Sequence, residues 1–187
     1  MALRNVSKMN VANDGTRTLF ESTVMPSSIL ALREWSQAQA GGVLIGGVGF
    51  SYHARPQMTL DLDFLFFSDS DIPDCLPGFR RNGPYAFEHD GTHVEVKIVT
   101  ADHIGVPCGV VAKVIGTATE SDGIRVVTAA GLIALKLYRL SMQDKADIVA
   151  LIKSRRVSGM AEFRLPADKT ATFDALVDAA KSDPHPG

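Results

Sequence analysis

Two carboxylates stand inside an otherwise apolar run. Residues 60–67 read LDLDFLFF, placing Asp61 and Asp63 two positions apart among leucines and phenylalanines. So short and apolar a run predicts a buried β-strand, and the strand period of two puts both acids on one face, opposite Leu62 and Phe64. Like charges held this close raise one another's pKa unless something positive lies between them. Burial makes an unpaired charge costlier still. A hard divalent cation resolves the conflict, and oxygen donors of this kind suit Mg2+ or Mn2+, which share their remaining positions with water and phosphate.

Upstream, the apolar Val43–Ile45 leads into Gly46-Gly47, and thirteen residues, Val48 to Leu60, separate Gly47 from Asp61. That order predicts a strand, a glycine turn and a short helix from about Val48 to Ala54. Without a Cβ, Gly46 and Gly47 let backbone approach an anion, and the amides of a helix start point toward a phosphate. Arg55, just past this helix, carries a guanidinium suited to phosphate oxygens. The stretch as a whole predicts a phosphate-and-metal site.

A third acid follows on another strand. Tyr85–His89 and Thr92–Thr100 predict two strands joined by Asp90-Gly91, a hairpin turn signal. In HVEVKIV, residues 93–99, His93, Glu95 and Lys97 share the face opposite Val94, Val96 and Ile98. Glu95 is the candidate third carboxylate. Its structural alternative is an ion pair with Lys97.

Hydrophobic-Gly-Gly, a gap, then Asp-hydrophobic-Asp-hydrophobic resembles the signature of the DNA polymerase beta-like nucleotidyltransferase superfamily. It is most similar to the minimal bacterial branch that includes the abortive-infection (AbiEii-type) toxins. The resemblance covers roughly residues 27–153 and rests on Gly46, Gly47, Thr59, Asp61 and Asp63, with support from Lys136, Asp144 and Asp147. It implies an α+β (α/β-like) nucleotidyltransferase fold: a small mixed β-sheet flanked by helices, with further helices at the C-terminus. It also implies that Asp61, Asp63 and Glu95 hold Mg2+ or Mn2+, while Gly46, Gly47, Arg55, Thr59 and Lys136 bind the nucleotide.

The activity so implied is transfer of a nucleoside monophosphate from a nucleoside triphosphate to a hydroxyl of RNA, protein or a small molecule. An antitoxin or regulator protein is the implied partner. Relatives often carry an arginine four positions before the first acid, where this chain has Gln57, so Arg55 is a displaced substitute or irrelevant. The alternative is a catalytically inactive binding module of the same fold. Sugar-nucleotide glycosyltransferases also use Asp-x-Asp, but with a nucleotide-binding half ahead of it.

At 187 residues and 45% hydrophobic composition, the chain suits one well-filled core. The expectation is a single domain over 1–187, with a core at about 27–127 and a C-terminal helical part at about 128–182. A net charge of −2 gives no global basic field to attract nucleic acid. Cys75 and Cys108 belong to no metal or redox spacing. With no apolar leader and no run of membrane-spanning length, a cytoplasmic protein without membrane contact is expected.

Residues 1 to about 25 read as a loose arm or a short packed element. Pro26-Ser27-Ser28 starts a helix reaching Ala40, with Ile29, Leu30, Leu32 and Trp35 on its apolar face and Trp35 in the core. Residues 68–84 read as a surface loop with one helical turn, its acids Asp69, Asp71 and Asp74 solvated and Arg80-Arg81 forming a basic patch near the site. Residues 101–127 read as an irregular helix or strand, a turn and a last strand Ile124–Val127. Thr128 caps a helix that places Lys136 and Arg139 three apart on one face. A final helix spans about Asp168–Lys181, before a frayed tail containing His185.

Overall fold

The structure, a computed structural model, describes residues 17–155, 157 and 159–182. The residues expected to form most of the N-terminal arm, and the tail with His185, lie outside them.

Thr18 opens α1 (Leu19–Ser22) with a capping box, its hydroxyl accepting from the Glu21 amide while the Glu21 carboxylate accepts from the Thr18 amide. Helix α2 (Pro26–Gln37) begins at a proline, which fits the first helical turn because its missing N–H would have had no partner there. It stops short of the expected Ala40. Gly41 and Gly42 both take positive φ, and the Trp35 indole donates to the Gly41 carbonyl at 3.0 Å.

Next come β1 (Val43–Leu44), α3 (Gly46–His53) and β2 (Asp61–Phe66). Helix α3 starts two residues earlier than expected because Gly46, at φ +64, makes the turn and enters the helix directly. Residues 69–71 form the single helical turn expected in the loop, closed by a capping box from Ser68. The rest of that segment is not all loop. Phe79–Gly83 forms β3, which pairs with β4 (Ala86–His89). Only Phe79 of β3 faces the core and Arg80–Asn82 are exposed, so the strand carries almost no apolar alternation.

Strand β5 (Glu95–Thr100) runs antiparallel to β4, as the Asp90-Gly91 signal implies. The segment left open between helix and strand is helical: α4 (Ala101–Ile104) and α5 (Cys108–Thr117), separated by left-handed Gly105. Strands β6 (Thr119–Ser121) and β7 (Ile124–Val126) are joined by Asp122-Gly123, both at positive φ, which suits the right-handed twist of a hairpin. The Thr128 hydroxyl accepts from the Gly131 amide at 3.0 Å and caps α6 (Ala129–Arg139). Helices α7 (Met142–Arg155) and α8 (Ala167–Ser182) follow. Among the described residues, no helix is long and apolar enough to cross a membrane.

The seven strands form one mixed sheet in the order β3-β4-β5-β2-β1-β7-β6, with β2–β5 and β1–β7 parallel. Each face of the sheet has its own core. Leu62, Phe64 and Phe66 of β2 pack with α2, where Trp35 stacks on Phe64 at 4.4 Å between ring centroids. Leu65, on the opposite face, joins Val43 and Ile45 against Phe50 of α3 and the apolar sides of α5, α6 and α7. Burying side chains of this size contributes about 1.5–3 kcal/mol each. Asp61 and Asp63 share the Leu65 face, at the end of β2 where the helical layer gives way to solvent.

Candidate functional site

The antiparallel register of β1 and β2 brings the glycine turn onto the acids. Val43 pairs with Leu65 and Leu44 with Phe64, and the Ile45 amide donates to the Asp63 carbonyl at 2.8 Å. Gly46 therefore lies directly beside Asp63: a Cβ on Gly46 would stand 1.9 Å from Asp63 Oδ2. Gly47 meets Thr59 in the same way, at 3.0 Å. Thr59 in turn donates its hydroxyl to Asp61 Oδ1 at 2.6 Å. Gly46, Gly47, Thr59, Asp61 and Asp63 are one cluster. No side chain caps the N-terminus of α3, so the amides of its first turn are not taken by a capping group.

The parallel pairing of β2 with β5 sets Asp61 opposite Glu95 and Asp63 opposite Lys97. Lys97 leans diagonally, so that its Nζ lies 2.5 Å from Asp61 Oδ2 and 3.6 Å from Glu95 Oε2. The two aspartates differ accordingly. Burial raises the Asp61 pKa, but hydrogen bonds from Lys97 and Thr59 outweigh it and hold the carboxyl below its usual range. Asp63 is pushed up, first by burial and then by the charge of Asp61. Among the described residues no side chain or amide donates to its carboxylate.

A half-buried, donor-free carboxylate beside a second one fits a hard cation, which would supply the missing positive charge. Asp61 and Asp63 are the two carboxylates that could hold it. Glu95 is turned onto Lys97, and among the described residues no three His, Cys, Asp or Glu side chains are grouped closely enough to hold a metal ion.

Asp63 and Gly46 open onto a cleft of about 540 Å³. Ile45, Val99, Leu132 and Leu135 give it an apolar wall, and Lys136 and Arg139 of α6 give it two cations. Lys136 is only 11% exposed and already engaged, with Nζ 3.1 Å from Asp144 Oδ1 and 2.7 Å from Asp147 Oδ2. Asp144 and Asp147 thus orient Lys136 from α7. Burial opposes ionisation of Asp144, but bonds from Arg139, Ser141 and Lys136 drive its pKa far below the usual range. Gln57 donates to Asp147 Oδ1 at 3.3 Å and so joins this network.

Arg139 is 72% exposed, and its guanidinium grips Asp144 while facing the cleft. Its spacing from Lys136 puts the two cations on one helix face, but nothing local in the sequence marks Arg139 as facing a cleft. Lys97 was likewise visible in the alternation, yet its main partner, Asp61, lies on another strand.

The remaining predicted groups lie elsewhere. Arg55 is exposed beyond α3 and is not part of the cleft lining. Arg80 and Arg81 do not form a patch near the site. They sit on edge strand β3, where Arg80 pairs with Glu88 and Arg81 donates to the carbonyls of Gly83 and Pro84. His93 pairs with Glu88, and His53 is buried against the Val127 carbonyl. No protein-family model matches the chain, and no curated protein matches it either.

Proposed function

We propose that this chain is a metal-dependent nucleotidyltransferase that moves a nucleoside monophosphate from a nucleoside triphosphate to an acceptor hydroxyl. The observation that carries this reading is the contact of the Asp63 carboxylate with Gly46 at the mouth of the cleft. It joins an anion-approachable turn to a cation-seeking pair of acids.

Asp61 and Asp63 would hold Mg2+ or Mn2+, which when bound supplies positive charge to phosphate oxygens and to leaving pyrophosphate. The chain's own groups do the rest. The uncapped amides after Gly46 and Gly47 receive phosphate oxygens, Arg139 adds an exposed guanidinium, and Lys136 a fixed charge behind it. The apolar wall of Ile45, Val99, Leu132 and Leu135 offers a surface for the nucleoside. The acceptor oxygen bonds to the α-phosphorus as the α–β anhydride breaks, and the hydroxyl proton passes to Glu95, an exposed carboxylate that pairs with Asp61 across β2 and β5.

The test supplies each of the four α-labelled triphosphates with Mg2+ to the protein together with total RNA and total protein. Label is expected on one acceptor class, with none from Asp61→Asn or Asp63→Asn. Equal labelling by the variants rejects the assignment.

One observation favours a second reading, a nucleotide-binding module without catalysis: the Lys97 ammonium already supplies Asp61 with a cation. Calorimetry separates the two. A module binds triphosphate equally with and without Mg2+ and labels nothing.

A further inference from the structure

Lys97 brings a positive charge into the acid cluster itself. Its register partner is Asp63, yet its ammonium lies 2.5 Å from Asp61 Oδ2, with Glu95 Oε2 3.6 Å away. One carboxylate of the pair is thereby engaged and the other is left without a donor among the described residues. The Lys97 side chain is 45% exposed and that of Asp61 30%, so the contact is in reach of water. Ion pairs this accessible are held loosely and yield readily to a stronger competitor. A divalent cation with phosphate ligands of its own is such a competitor.

We propose that Lys97 is a displaceable counter-ion carried by the chain: it neutralises Asp61, competes with the divalent cation for that carboxylate, and is released when the cation binds. The inference rests on the reading of Asp61 and Asp63 as the metal ligands. The competition falls hardest on a free ion, because a cation arriving on a triphosphate brings further contacts to the glycine turn and Arg139. The site therefore selects the metal–nucleotide complex over the bare metal. Once released, the ammonium stays on the face of β5 that continues to Val99 in the cleft wall.

The test uses Mn2+ as the probe, without nucleotide, and follows free Mn2+ by electron paramagnetic resonance. Lys97→Met should bind Mn2+ about threefold to fivefold tighter than the parent, the factor that an exposed ion pair represents. Lys97→Arg, which keeps the charge, should stay with the parent. Unchanged or weaker binding in folded Lys97→Met overturns the inference.

Asp61→Asn reports on the underlying reading. If it leaves Mn2+ binding intact, or if no variant binds Mn2+, the metal assignment fails and the inference with it. If it removes binding while Lys97→Met fails to tighten it, only the role of Lys97 fails. A second measurement needs no variant: Mn2+ should speed acylation of Lys97 by an amine-reactive ester, read by mass spectrometry against Lys113, which pairs with Glu162 well away from the acids. An unchanged ratio of the two rates also overturns the proposal.

Discussion

The carboxylate of Asp63 occupies the space that a side chain on Gly46 would need, with Oδ2 1.9 Å from the position of a Cβ there. The contact follows from register. The Ile45 amide bonds the Asp63 carbonyl, so the residue after Ile45 must turn away beside the Asp63 side chain, and it does so at φ +64. Glycine is required here twice, for the backbone angle and for the acid.

Gly46→Ala should therefore destabilise the fold by about 1–3 kcal/mol, combining left-handed strain with displacement of Asp63. It should also weaken Mn2+ binding, because the carboxylate must move. Gly109→Ala is the control. It lies in α5 with open space around the added methyl, and should stabilise by roughly 0.5–1 kcal/mol. Urea denaturation compares the two, and a Gly46→Ala protein as stable as its parent would contradict the contact.

His53 gives the fold a pH dependence. Burial lowers its pKa from 6.5 to about 4, against the raising effect of its bond to the Val127 carbonyl. The unfolded chain then binds a proton between these values that the folded chain refuses. Stability contributed by neutral His53 is full above pH 6.5 and falls as the pH drops toward 4, by up to about 1.4 kcal/mol per pH unit. His53→Gln should flatten the stability profile in that window. A profile as steep as the parent's would assign the slope to another group.

Much of this was legible in the sequence where the information is local. Asp61, Asp63, Thr59 and the glycine turn sit within one strand-turn-helix-strand unit, and the alternation of LDLDFLFF is enough to orient both acids. Thr128 could be read as a cap because capping is decided within one helical turn. Strand β3 could not, because only Phe79 marks it as buried. Helix α5 was ambiguous because VPCGVVAKVIG is rich in β-branched residues, although Val110, Val111 and Val114 recur at helical spacing and are all buried. The cross-strand reach of Lys97 to Asp61 and the closure of Asp144 and Asp147 around Lys136 depend on which strands and helices become neighbours. Periodicity within one segment does not encode that.

Asp144 should be the most costly acid to remove. It is fully buried and receives Lys136, Arg139 and Ser141. Asp144→Asn leaves those cations undercompensated, at a cost of about 3 kcal/mol near neutral pH. Because its folded pKa is depressed, this contribution is complete above the unfolded value of 3.8 and is lost as the pH falls below it. Urea denaturation at pH 7 and pH 3 should show a parent–variant gap that narrows at the lower pH. A gap that persists undiminished would mean that packing, not charge, is what the variant removes.

The two cations of α6 should separate into a structural and a binding role. Lys136 is held between two buried carboxylates, so Lys136→Met strands Asp144 and Asp147 and should cost about 3 kcal/mol of stability. Arg139 shares Asp144 with Lys136 and Ser141, and its exposed guanidinium adds under about 1 kcal/mol to the fold. While it holds Asp144 it also faces the cleft, where a charge-assisted bond to phosphate would contribute about 1.5–3 kcal/mol. Arg139→Gln should leave the denaturation midpoint nearly unchanged and weaken binding of Mg2+–triphosphate roughly tenfold or more, with a shallower dependence on salt. If Arg139→Gln unfolds like Lys136→Met while nucleotide affinity holds, the guanidinium belongs to the helix pair and the phosphate contact must come from Lys136.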